Sequence, residues 1–141
     1  MGTSLAGFPS VTPTRDDRGF WEFCSQRRLC FQKCDRCAAF RHPPTPICSH
    51  CWSSQSSWIE APAVGRLFTY TVVHHPAHKV AAAALPYNVV LVEFVECGSV
   101  RLVSNVIDAG PGDLAADAPV MLAWQEDGAG QWLPRFRLTP V

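Results

Sequence analysis

Residues 34–51 read CDRCAAFRHPPTPICSHC. Two Cys-x-x-Cys pairs stand ten residues apart, and nothing else in the chain restricts its folding as tightly. Each Cys-x-x-Cys turn aims two sulfurs at one point, and two such turns facing each other close a tetrahedral four-thiolate site. Cys34, Cys37, Cys48 and Cys51 therefore specify a metal-held ribbon. The gap is shorter than the roughly 15–20 residues of commoner ribbons. It still accommodates two short strands and a turn, and HPPTP at 42–46 supplies the turn, because proline continues neither a helix nor a central strand. All four positions around the ion come from the protein, so no place is left for a reactive water and the metal serves structure. Zinc is the expected ion; a sulfur-only site suits iron as well, and the spacing does not discriminate. A redox pair of the thioredoxin kind would open a helix, whereas this chain runs into prolines.

Seven cysteines, an odd number, fit a disulfide framework poorly. Beyond the two pairs, Cys24 falls in an expected helix, Cys30 in a strand and Cys97 in a turn beside Gly98. All three are expected as free, buried or half-buried thiols. His50, between two ligands, cannot reach the same ion and is expected in solvent.

A hydrophobic content of 48% in 141 residues provides for a real core in one ordinary domain or two very small ones. The zero net charge argues against a general polyanion binder. Seven of the twelve basic residues precede residue 42 beside four acids, so the first third is mildly basic and the remainder mildly acidic. No apolar run approaches the roughly 20 residues of a membrane span. The opening MGTSLAGFPSVTPTRDD lacks the basic and apolar regions of a secretory signal, and the expected location is the cytoplasm.

Residues 1–14 are expected to form a loose arm. Asp16 or Asp17 is placed to cap a short helix running to about Arg28, with Phe20, Trp21 and Cys24 on one side. RLCFQKC enters the first Cys-x-x-Cys turn as a strand, and WSSQSSW leaves the second as a short strand or connection. From residue 63 the pattern turns to strands, expected at 64–75, 87–96, 100–108, 120–126 and 132–138. Gly98 and DGAGQ mark hairpins, and 109–119 is a long loop with room for one helical turn. The first strand carries β-formers on both faces, which predicts cover on two sides. Five strands in about 75 residues suit a small closed barrel, of OB or SH3-like type, and the long first strand, able to bend across both halves, favours the OB-fold. The expected class is mainly β: an arm and short helix over 1–28, a ribbon over 29–60 and a five-stranded OB barrel over 61–141.

The chemistry-bearing residues outside the ribbon do not assemble a motif. His74, His75 and His78 lie in HHPAH, where Pro76 prevents the helix that would align them. Asp108, Asp113 and Asp117 lack the pattern and closing Glu of a calcium loop. No self-sufficient active site emerges. OB-folds often bind single-stranded nucleic acid through basic grooves and aromatics. That is the alternative function, and the acidic barrel weighs against it.

The segments GFWEFCSQRRLCFQKCDRC, PPTPICSHC, VGRLFTYTVVHH, LPYNVVLVEF, VRLVSNVID and WLPRFRL, in this order over residues 18–138, resemble a family that pairs a rubredoxin-like zinc ribbon with an OB-fold, long called a domain of unknown function. The resemblance implies an accessory subunit of thiolase-fold acyl-CoA enzymes, among them lipid-transfer-type aldolases that cleave steroid side chains by a retro-aldol step; some members pair with hydratases. It implies that catalytic residues belong to the large subunit and that a CoA thioester lies at the shared interface. On that basis Phe20, Trp21, Pro86 and Tyr87 are expected to meet partner or acyl chain, and Arg27, Arg28 and Arg36 to face CoA phosphates. Two positions depart from the family pattern. Thr45 stands where many relatives carry Arg, and a Gly common before the fourth strand is replaced near Asp117, a residue that tolerates left-handed backbone better than most.

Overall fold

The computed structural model describes residues 7–140. Besides three short 3-10 turns, one α-helix and eight strands follow in order among these residues: α1 (Arg18–Ser25), β1 (Cys30–Cys34), β2 (Phe40–Arg41), β3 (Ser56–Glu60), β4 (Val64–Val73), β5 (Tyr87–Phe94), β6 (Val100–Ser104), β7 (Pro119–Glu126) and β8 (Trp132–Leu138). The molecule is mainly β, as the sequence predicts, with a ribbon region and a curled five-stranded OB sheet.

The helix stops three residues short of the expected Arg28. Arg27 takes a left-handed φ of 55°. Its amide bonds the Cys24 carbonyl at 2.8 Å, and the Arg28 amide reaches Phe23 at 3.0 Å. This is the two-bond helix stop that glycine usually provides, so an arginine there conceals the end. Asp17 precedes the helix without capping it; its Oδ1 instead accepts from the amide and hydroxyl of Thr14, tying down the arm.

In the ribbon, β1 is central. It pairs antiparallel with β3 over five residues and with β2 over only two. The larger sheet has the order β6-β5-β4-β7-β8, all antiparallel. Its two edges meet at a single parallel bridge, Val106 to Phe136, so the sheet curls into a half-barrel rather than a fully laddered barrel. The bridge is why the third strand ends at Ser104 and not at 108: Asn105–Ile107 leave β5 to bond β8. Buried Asn88 on β5 holds the departing chain, donating to the Val106 carbonyl and accepting from its amide, both at 2.8 Å.

Strand β4 corrects another expectation. It pairs with β7 only over Val64–Arg66, and a bulge between Leu67 and Thr69 turns it away. Beyond the bulge it is paired to β5 alone, and Thr69, Tyr70 and Thr71 are exposed rather than covered on two sides. Before the bulge the sheet is tight: a Cβ on Gly65 would sit 2.5 Å from a Val92 methyl. Asp117 adopts φ 66°, a left-handed conformation that Asp tolerates better than most residues. Its carboxylate pairs with Arg66, which also holds Glu93 at 2.6 Å; Arg101 takes the other oxygen of Glu93 at 2.9 Å and stacks 3.6 Å over Phe68.

One apolar core runs through all of this. Phe31 of the ribbon meets Phe94 of β5 at 5.4 Å between ring centres, and Phe94 meets Phe136 of β8 at 6.0 Å. Phe20 and Cys24 of α1 join the same cluster. The free thiols Cys24, Cys30 and Cys97 are all buried, and burial raises the Cys24 thiol to about 12.

Candidate metal centre and adjoining cleft

The two Cys-x-x-Cys segments fold as near-copies. In the first, Cys34 N–H donates to the Ala39 carbonyl at 2.8 Å and Ala38 N–H to the Cys34 carbonyl at 3.0 Å. In the second, Cys48 N–H donates to Ser53 at 2.9 Å and Trp52 N–H to Cys48 at 3.0 Å. Each turn closes on a residue of φ 64°, Ala38 or Trp52. Cys34 and Cys51 place their sulfurs 3.5 Å apart, Cys37 and Cys48 3.6 Å, and all four lie within 4.8 Å of one another. Zinc–sulfur bonds of about 2.3 Å in a tetrahedron require sulfurs about 3.8 Å apart, so the set fits the ion.

Backbone amides prepare the thiolates. The Cys34 thiol is lowered to about 6, chiefly by the amide of Cys37 and also by that of Arg36. Cys48 is lowered by the amides of Cys51 and His50. Cys37 shows the limit of this device: the Ala39 amide pulls it down, yet burial and bonds to its neighbouring sulfurs leave it raised to about 11. Two negative sulfurs oppose a third, and a divalent cation at the centre removes that conflict. His50 is exposed and contributes only its amide, as expected.

Beside the ribbon, α1, the His42–Pro44 turn, β6 and β8 enclose a cleft of about 330 Å³. Phe20 and Trp21 line it, their rings edge-on at 5.0 Å. Phe20 is 3% exposed, so a ligand can meet it only through this cleft. The other residues singled out from sequence lie outside these walls. Arg27 stacks on Trp132 at 5.2 Å; Arg28 bonds Glu60 at 3.0 Å and covers Phe23. Arg36 is exposed on the first Cys-x-x-Cys turn. Pro86, in a cis bond after Leu85, is exposed, and Tyr87 opens β5 half-buried. His74, His75 and His78 are exposed on the β4–β5 connection, where His78 Nδ1 accepts the Val80 amide at 3.2 Å. Among the described residues, the four cysteines are the only cluster of three or more His, Cys, Asp or Glu side chains arranged to hold a metal.

Comparison with known proteins agrees with this architecture. Residues 21–56 match the model described as "ChsH2, rubredoxin-like zinc ribbon domain", and residues 58–125 match "ChsH2, C-terminal OB-fold domain". A chain of the "Ltp2-ChsH2(DUF35) aldolase" superposes with a TM-score of 0.82 at 39% identity, covering 92% of this chain and 98% of that one. The chain belongs to the ChsH2 (DUF35) family. A DUF35 protein from Sulfolobus solfataricus shares the fold at 16% identity, with a TM-score of 0.57, over 86% of this chain and 83% of that one. Two curated relatives are longer. A probable enoyl-CoA hydratase alpha subunit of Thermomonospora curvata is 42% identical over 92% of this chain and 39% of its own length. The 3-oxo-4,17-pregnadiene-20-carboxyl-CoA hydratase alpha subunit of Mycobacterium tuberculosis is 29% identical over 86% and 45%. The chain thus spans less than half the length of these curated relatives.

Three features of this ChsH2-family chain escaped sequence reasoning. His42 packs between Phe20 and Phe31 at 4.9 and 5.2 Å, and burial lowers it to about 4. Trp52, at the start of the segment read as a short strand or connection out of the ribbon, is 79% exposed on the second Cys-x-x-Cys turn. Arg135, on a strand that reads as alternating basic and apolar, is half-buried on the cleft wall. The double proline after His42 was the one available signal, since it fixes the turn that buries the imidazole.

Proposed function

We propose that this chain is a non-catalytic accessory subunit of an acyl-CoA enzyme. It associates with a thiolase-fold partner of the lipid-transfer type, stabilises the complex and shapes the CoA and acyl channel for retro-aldol cleavage or acyl transfer on steroid-like or other lipid thioesters in the cytoplasm. The observation that carries this reading is the 39% identity, over nearly the full length of both chains, to a component of an aldolase named jointly with Ltp2. The hydratase relatives, both alpha subunits, support a place in an acyl-CoA complex and keep a hydratase as a further partner. The ion is zinc, held by Cys34, Cys37, Cys48 and Cys51 with no open position, so it fixes the ribbon and activates no water. Trp21, Phe20, Tyr87 and Pro86 serve the acyl or partner contact, and Arg27, Arg28 and Arg36 the CoA phosphates.

The test is affinity capture of the tagged chain from its host after nuclease treatment, with mass spectrometry of what co-purifies. A thiolase-fold protein in near-stoichiometric amount is expected. Capture of nucleic acid without such a protein contradicts the proposal.

A further inference from the structure

Four arginines lie in the OB region, and three of them are neutralised. Arg66 pairs with Glu93 and Asp117, Arg101 with Glu93, and Arg137 with Asp108. Arg135 pairs with no carboxylate among the described residues. Its Nε donates to Gln125 Oε1 at 3.2 Å and its Nη1 to the Pro134 carbonyl at 3.3 Å, both neutral acceptors. Yet it is half-buried, and loss of solvent lowers its pKa. A desolvated cation without a counter-ion is costly, and folded chains ordinarily pair it.

Arg135 lies on the wall of the cleft described above, whose other walls include Phe20, Trp21, Pro43, Val103 and Leu133. Asp17 also lines the cleft, its Oδ1 accepting from the Thr14 amide and hydroxyl, and so does Arg101, which Glu93 holds at 2.9 Å. The volume, about 330 Å³, is at the small end of ligand pockets. A single free guanidinium in an apolar surround matches a monoanion with two coplanar oxygens and a compact apolar body.

We propose that the cleft between α1, the His42–Pro44 turn, β6 and β8 is a binding site for a small amphipathic carboxylate, with Arg135 receiving the carboxylate and Phe20, Trp21 and Leu133 the apolar body. This site belongs to the chain by itself and does not depend on the accessory-subunit reading, so either can fail alone.

The test is calorimetric titration of the zinc-loaded full chain with octanoate, 1-octanol and octyl phosphate, with Trp fluorescence followed in parallel. Octanoate is expected to bind one per chain, at least ~10-fold more tightly than octanol, the scale of one charge-assisted hydrogen bond. R135Q should erase that margin while leaving octanol unchanged. V103E provides an independent check, because Val103 lines the cleft and is 64% exposed. It should weaken octanoate ~10-fold relative to octanol by like-charge repulsion. No binding of octanoate, equal binding of octanol, or octanoate affinity insensitive to both variants overturns the proposal. Tighter binding of octyl phosphate overturns the carboxylate assignment.

Discussion

The ribbon and the curled barrel are both three-stranded or larger antiparallel sheets, yet they are held together by different forces. The ribbon sheet has strands of five, two and five residues, and the loop from residue 42 to 55 carries no strand at all. Its buried side chains are concentrated on β1, and its Cys-x-x-Cys turns converge on four sulfurs. The barrel has strands up to ten residues long and a core of Leu67, Val90, Val92, Phe94, Val120 and Phe136, each at most 1% exposed. A cross-link fixes geometry at a point, while packing fixes it over an area. The two regions should therefore respond differently to different insults, coupled through the shared apolar cluster in which Phe31 meets Phe94.

The largest expected effect is loss of the metal. Structural zinc binding is worth about 10–16 kcal/mol in small fingers, far more than a three-stranded ribbon gains from packing. Substituting Cys34 and Cys48 by Ser, or chelating the ion, should remove one zinc per chain and expose amides of residues 30–60 to hydrogen exchange. The amides of β5, β7 and β8 should stay protected; their simultaneous loss would mean that the ribbon and the barrel are one cooperative unit.

Phe94→Ala comes next. Phe94 is fully buried and touches both Phe31 and Phe136, so its removal should cost about 3–5 kcal/mol and lower the denaturation midpoint of both regions. A midpoint shift confined to the barrel would show that the phenylalanine chain does not couple them.

Acid separates the regions more finely. His42 is lowered to about 4 by burial, against about 6.5 when unfolded, so the unfolded chain takes up a proton that the native one refuses. Stability should thus be full above pH 6.5 and fall as pH drops toward 4, by about 2 kcal/mol between pH 7 and 5. His42→Phe should flatten that slope in denaturant titrations at the two pH values. Glu93, 5% exposed, behaves otherwise: its bond with Arg66, then that with Arg101, lowers its pKa. Its contribution is present above the ordinary carboxylate range and is lost only as pH falls below it. Glu93→Gln should produce the smallest effect of the series, a loss at pH 7 that shrinks as pH falls below the ordinary carboxylate range.

These contrasts parallel what could be read from sequence. The cysteine pairs announce their own geometry, because spacing alone brings two sulfurs to one point, and the structure gathers all four. The barrel strands were legible from alternation and from Gly98, whose φ of 62° makes the hairpin turn. What stayed hidden depended on partners distant in sequence. The bulge at Leu67–Thr69 is set by which strand stops pairing, the end of β6 by a bridge to Phe136, and the burial of Arg135 by a helix more than a hundred residues away. Arg27 disguised the helix end because the position is usually glycine. Among the residues expected to contact partner or CoA, Phe20 and Trp21 line the cleft beside the ribbon and the others do not.

The accessory-subunit account is tested most directly by reconstitution: the captured thiolase-fold partner is purified alone and assayed for turnover of its acyl-CoA substrate, then with this chain in its zinc-loaded and Cys34→Ser forms. The account predicts that the partner is weak alone, that the zinc-loaded chain restores turnover at one-to-one ratio, and that the metal-free variant does not. Full turnover by the partner alone, or turnover by this chain without it, would contradict the account.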